Sequence, residues 1–184
     1  MQRIEALNSG NTPAASQAML DAVQKKLGMV PNLFKTIAHS PAALQFYLQQ
    51  GEALAGGSLP VQLREQIALV TAGSNGCDYC ASAHTLMGKG AGLAADEMAK
   101  NLQGRSGDAK TQAALDFAKA IVQSRGQVTD VQIQAVRSAD YSEADVVEIV
   151  AHVAANLFTN YFNLIAGTVV DFPPVSATPI RAAA

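Results

Sequence analysis

Tryptophan is absent from this chain of 184 residues, aromatic side chains make up only 5%, and charged side chains only 15%. Each scarcity excludes something. With few aromatic and β-branched runs and many alanines, a sheet-based core is disfavoured and helices are expected. Charge well below the roughly one quarter common in soluble proteins leaves little to repel a second copy, so the chain is expected to bury further surface in a homo-oligomer. The net charge of −2, with no basic run anywhere, removes the electrostatic footprint of a nucleic-acid platform. The N-terminal Met1-Gln2-Arg3-Ile4-Glu5-Ala6 carries no apolar targeting segment, and the sequence reads as having no bilayer span and no membrane partner; a cytoplasmic location is expected. Cysteine is scarce too. Two residues cannot build a secreted disulfide framework, and no second Cys-x-x-Cys exists to complete a structural zinc site.

What is present is helix punctuation. Thr12-Pro13 opens a segment to about Leu27, stopped by Gly28, and Ser40-Pro41 opens another that ends near Gly56-Gly57; in each a hydroxyl precedes a proline at the first helical position. Val30-Pro31-Asn32-Leu33-Phe34 reads as a turn into a short helix. Ser58-Leu59-Pro60 starts a helix to about Ala72, with Leu63, Ile67 and Val70 at core spacing, and Gly73-Ser74-Asn75-Gly76 is expected to break it. Beyond a polar loop at Gly104 and Gly107, residues 108–124 form an amphipathic pattern. Thr129-Asp130 caps a short helix to about Ser138, and Ser142-Glu143-Ala144-Asp145 resembles a capping box before a long apolar helix to about Ala166. The expected fold is therefore all-α, one domain over residues 1–184, with residues 1–11 and 174–184 as extended arms.

The chemistry concentrates in Cys77-Asp78-Tyr79-Cys80-Ala81-Ser82-Ala83-His84, with Glu65 twelve positions before the first cysteine. On a helix at about 100° per residue, positions 77, 80 and 84 fall within roughly 60° of one face, so both sulfurs and the imidazole point the same way. Cys77 would sit in the first turn, where unpaired N–H groups and the helix dipole favour a thiolate. His84 lies one turn beyond Cys80, at a separation suited to proton exchange, and Glu65 can orient His84 if its helix packs antiparallel on this one. A buried pair of core cysteines and a metal held by these groups are the competing readings. Elsewhere, His152 reads as a core or interface histidine and His39 as exposed. The stripe Phe158, Tyr161, Phe162, Ile165 reads as core or subunit interface. Asn156, Asn160 and Asn163, on so apolar a helix, call for specific hydrogen bonds.

Glu, eleven residues, then Cys-x-x-Cys-x-x-x-His resembles the signature of the alkylhydroperoxidase D (AhpD)-like branch of the carboxymuconolactone decarboxylase family. Val30-Pro31-Asn32-Leu33-Phe34 and Asn156-Leu157-Phe158-Thr159-Asn160-Tyr161-Phe162-Asn163 are similar to stretches in AhpD-like proteins, and the likeness runs from about residue 12 to residue 173. The resemblance implies an AhpD-like helical bundle assembled into trimers or hexamers. It also implies peroxide reduction with Cys80 as the attacking thiol, Cys77 as the resolving one, and His84 with Glu65 as the proton relay. No cofactor or metal is implied beyond a redox-active Cys77–Cys80 disulfide, reset by an external dithiol or lipoyl-bearing protein at the more exposed Cys77. One departure stands out: well-characterised members carry a histidine before the second cysteine, and this chain has Tyr79, a hydrogen-bonding group but a poor base. A thiol–disulfide relay or oxidant sensor is the alternative function, and a decarboxylase-type lyase a more distant one.

Overall fold

Proline, glycine and hydroxyl side chains divide the described chain into nine helices. The computed structural model describes residues 1–8 and 10–177. In order the helices are α1 (Ala14–Leu27), α2 (Asn32–Ile37), α3 (Pro41–Ala55), α4 (Val61–Asn75), α5 (Asp78–Gly90), α6 (Ala95–Leu102), α7 (Ala109–Ser124), α8 (Asp130–Ser138) and α9 (Glu143–Ala166). Among the described residues there is no strand, and the all-α, single-domain architecture is as the sequence leads one to expect.

The caps explain most boundaries. Ser40, Asp108, Thr129 and Ser142 each accept a backbone N–H in the first turn of the helix that follows, and at Thr129 and Ser142 the third residue returns the bond as a full capping box. The first helix departs from that pattern: Pro13 is its cap residue and Thr12 instead donates its hydroxyl to the Asn8 carbonyl. Short α6 has no counterpart in the sequence reading.

Gly73 is not a break. α4 continues through it to Asn75, and the left-handed turn falls on Gly76 at φ 67°. Gly73 has a packing reason instead, since a Cβ there would run into the carbonyl of Leu102 at the end of α6.

α4 lies at the centre, packed by α5, α6, α7 and α9. Its two sides close two apolar clusters. One gathers Ile67 and Val70 with Leu115, Ala118, Val136, Ile149 and Val153 from α7, α8 and α9. The other gathers Leu69 and Ala72 with Leu33, Ile37, Leu44, Met98 and both cysteines. By length and composition α9 could cross a membrane, contrary to the expectation that no stretch was long enough, because an 18-residue window of it reaches a mean hydropathy of 1.2. In the fold it packs on α3, α4, α5, α7 and α8.

Both ends of the described chain lie against the bundle. The Arg3 and Ile4 N–H groups donate to the Ala166 carbonyl, and Val175 and Ala177 donate to Ser82 Oγ and Asp78 Oδ1 on α5. Of the two expected arms, residue 9 and residues 178–184 lie outside the described residues.

Candidate active site

The turn between α4 and α5 is what assembles the site. Gly76 reverses the chain, the Cys77 N–H closes on the Ala72 carbonyl at 3.0 Å, and α5 folds back along α4. Glu65 on α4 and His84 on α5 thereby meet, Nδ1 to Oε2 at 2.8 Å, both side chains mostly buried. The antiparallel packing that the spacing required is present.

Cys77 is the cap residue of α5 rather than its first helical residue. Its backbone is extended (φ −92°, ψ 95°), and its sulfur accepts the Cys80 N–H at 3.3 Å. A cap sulfur three residues before a helical cysteine turns the two thiols toward each other. The consequence for charge reverses the expectation from the helix dipole. The Cys77 thiol is pushed far up, first by its hydrogen bond to Cys80 and then by burial. For Cys80, burial alone would also push up. The Cys77 S–H, the charge on His84 and the amides of Asn163 and Asn160 together outweigh it and bring Cys80 down to about 7. The pair shares a proton that stays on Cys77, and the thiolate forms on Cys80.

His84 is held above its ordinary value. Burial opposes the imidazolium, but the hydrogen bond and charge of Glu65, and then the negative Cys80, prevail. Glu65, His84 and Cys80 thus form one electrostatic chain, in which Glu65 favours the imidazolium and the charge on His84 favours the Cys80 thiolate.

Exposure corrects one expectation. Cys77 is 1% exposed and Cys80 2%, so Cys77 is not the more accessible thiol. The chain after Pro174 crosses the first turns of α5, bonded at Ser82 and Asp78, and Val175 and Ala177 join the apolar cluster that holds both sulfurs.

Tyr79 is engaged elsewhere. Its hydroxyl accepts the Leu33 N–H at 3.0 Å and its ring meets Phe172 edge-on, so this side chain ties α5 to the start of α2. Among the described residues no group of three or more His, Cys, Asp or Glu side chains is arranged to hold a metal ion. His152 is buried with its Nε2 unpartnered, and burial followed by the nearby Arg64 charge pushes it down; His39 is exposed and bonds the Glu5 carbonyl.

Besides the Asn160 amide, two residues outside the expected set face the thiolate. Asn163 on α9 donates from Nδ2 to Cys80 Sγ at 3.3 Å, which gives one of the asparagines its partner. Tyr47 on α3 is the other. Its ring packs at 5.1 Å from Phe34 and 6.4 Å from Phe158, and ionisation of its hydroxyl is opposed by burial and then by the negative charges of Cys80 and Glu65. Nothing in the spacing of α3 to the motif marks Tyr47, whereas Asn163 was marked by its polarity on an apolar helix.

Comparison with known proteins bears on the fold and on the segment that carries the site. Residues 41–123, from α3 through most of α7, match the model of the Carboxymuconolactone decarboxylase family. A search of curated protein sequences returned no match. Among solved structures, an uncharacterised peroxidase-related protein with an alkylhydroperoxidase AhpD core, from Ralstonia eutropha JMP134, superposes with a TM-score of 0.82 at 27% identity, over 92% of each chain. A peroxidase-related protein from Silicibacter sp. TM1040 superposes at 0.77 with 22% identity, over 97% of this chain and 96% of that one. The debrominase Bmp8, solved with 2,3,4-tribromopyrrole, shares the fold at 0.77 with 20% identity over 91% of each chain. The segment 41–123, which contains Glu65, both cysteines and His84, is thus similar to the carboxymuconolactone decarboxylase family, and across nine-tenths of its length the chain shares the fold of a protein with an AhpD core.

Proposed function

We propose that this protein is a cysteine-based peroxidase of the alkylhydroperoxidase type, reducing hydroperoxides through a Cys77–Cys80 disulfide cycle. One observation carries the reading: the sulfur brought down to about 7 is the one backed by the imidazole that Glu65 holds at 2.8 Å. A thiol poised near neutral pH is what nucleophilic attack on a peroxide needs.

The cycle balances as follows. The Cys80 thiolate attacks the terminal peroxide oxygen; the O–O bond breaks, an S–O bond forms, and His84 protonates the departing alkoxide or hydroxide. Cys80 is then a sulfenic acid, oxidised by two electrons. Cys77, already facing it, displaces water to give the disulfide. An external dithiol, free or on a lipoyl-bearing protein, exchanges with Cys77 and returns both thiols. Because both sulfurs are buried, that exchange requires local opening around the first turns of α5. The aromatic rings of Tyr47, Phe158 and Phe162 around the same cluster favour an organic hydroperoxide over hydrogen peroxide.

Self-assembly belongs to the same proposal. Val147, Val150, Ala154, Tyr161 and Leu164 are exposed along α9 and, with half-buried Leu157, fall at alternating spacings of three and four residues, the seam by which helices pair.

The test is single-turnover kinetics with cumene hydroperoxide. The protein should oxidise far faster than free cysteine at the same pH. Cys80→Ser should abolish the reaction, while Cys77→Ser should stop at a sulfenic acid that dimedone captures. Full activity in Cys80→Ser would exclude this function. A rate near that of free cysteine would instead favour a thiol–disulfide relay.

A further inference from the structure

Tyr79 faces α2, so something else must help hold a negative sulfur in an apolar cluster. α9 supplies the candidates. Asn163 is 4% exposed and its Nδ2 donates to Cys80 Sγ at 3.3 Å. Asn160, one turn earlier, is fully buried at 0%, and its amide faces the same sulfur.

The orientation of Asn160 follows from its neighbour. Asn75 Nδ2, on the last turn of α4, donates to both the Thr71 carbonyl and Asn160 Oδ1, each at 3.0 Å. With its oxygen committed to Asn75, Asn160 is left with a buried Nδ2 that has no hydrogen-bond partner. An unused N–H pair in such a place is costly unless a charged or oxygen-bearing group comes to it.

Resting on the peroxidase reading above, we propose that Asn160 and Asn163 are catalytic residues that cradle the Cys80 sulfur between two amide donors. In this arrangement they hold it as thiolate before attack, and the free Asn160 N–H receives the oxygen once it has been transferred to sulfur. Asn75 is the positioning residue that sets the Asn160 donor toward the site. The other titratable groups facing Cys80 are Cys77 and His84 on α5, Glu65 on α4 through His84, and Tyr47 on α3. None of them lies on α9, so the two amides can be tested independently of the relay.

The experiment follows Cys80 ionisation by thiolate absorbance at 240 nm between about pH 5 and 9, below the range where tyrosines ionise. A Cys77→Ser background leaves one thiol. Asn163→Ala and Asn160→Ala should each move the midpoint up by about one unit, roughly a tenfold loss of thiolate at pH 6. Asn163→Asp should move it further, because its carboxylate would face the thiolate. A merely structural role predicts the opposite order, since Asp keeps the shape of Asn and Ala does not. Circular dichroism checks that each variant is folded, and if Asn163→Asp does not fold, the two alanine variants decide the matter alone. Folded alanine variants that titrate like their parent, or an aspartate milder than alanine, would overturn the cradle. Failure of the peroxidase reading looks different: the unmodified protein would not reduce peroxide, while the alanine variants would still shift the titration.

Discussion

Replacing Glu65 by glutamine keeps the shape of the side chain and removes its charge, which isolates the part of the relay that poises Cys80. The carboxylate bonds His84 at 2.8 Å in a mostly buried pair. A hydrogen bond to a charged group contributes about 1.5–3 kcal/mol, and here it favours the imidazolium against burial. Without it burial pushes His84 down, and Cys80 would lose part of the positive charge that helps bring it down to about 7. If about one unit passes on to Cys80, thiolate at pH 7 falls from about half to about one tenth. Peroxide reactivity should therefore fall about fivefold at pH 7 and about tenfold at pH 6, and should recover as pH approaches 9, where both proteins are ionised. Stopped-flow oxidation with cumene hydroperoxide across that range reads this directly. A deficit as large at pH 9 as at pH 6, or no deficit at pH 6, would refute the poising argument.

Stability of the reduced protein should depend on pH through the same sulfur. Cys80 is depressed from an ordinary 9.0 to about 7, so its contribution is present above pH 9 and is lost as pH falls through 7. Urea titrations should show a gain on the order of 2 kcal/mol from pH 7 to 9 that Cys80→Ser lacks. The Cys77 thiol, pushed up, should reverse the trend above pH 9. Gly73→Ala should destabilise by roughly 1–3 kcal/mol, since its Cβ meets the Leu102 carbonyl. In the thermal melt this lowers Tm by several degrees, whereas a glycine without such a contact would gain stability from the change. Paired Val150→Lys and Leu164→Lys substitutions on the exposed α9 seam should convert an oligomer to a 19.1 kDa monomer, read by light scattering; an unchanged mass would remove α9 from the interface.

How much of this could be read from the chain varies with the kind of signal. Caps and prolines are local, so α3, α7, α8 and α9 are legible within a residue or two, and the expectation of an all-α fold needed little more. Gly73 misleads because a glycine needed for close helix packing looks the same in sequence as one needed for a turn; only the Leu102 carbonyl distinguishes them. α6 is missed because Ala94, its cap residue, offers no side-chain acceptor. At the site, the meeting of Glu65 with His84 was legible as a conditional: it required an antiparallel pair, and the Gly76 turn makes one. Cys80 as the attacking thiol was legible only through the family resemblance. The helix dipole points to Cys77, but what brings Cys80 down is first the hydrogen bond with Cys77 itself, then the charge on His84 and the asparagines of α9. Burial of both sulfurs is likewise a tertiary fact with no local mark.

The central claim is that Cys80 is an activated thiolate that Cys77 resolves. The most direct measurement is to add one equivalent of cumene hydroperoxide to the fully reduced protein and follow intact mass together with free thiols. Rapid loss of two hydrogens, with both thiols gone and no oxygen retained, is the predicted result. Thiols that persist after the peroxide is added, or a mass that gains oxygen and keeps it, would contradict the account.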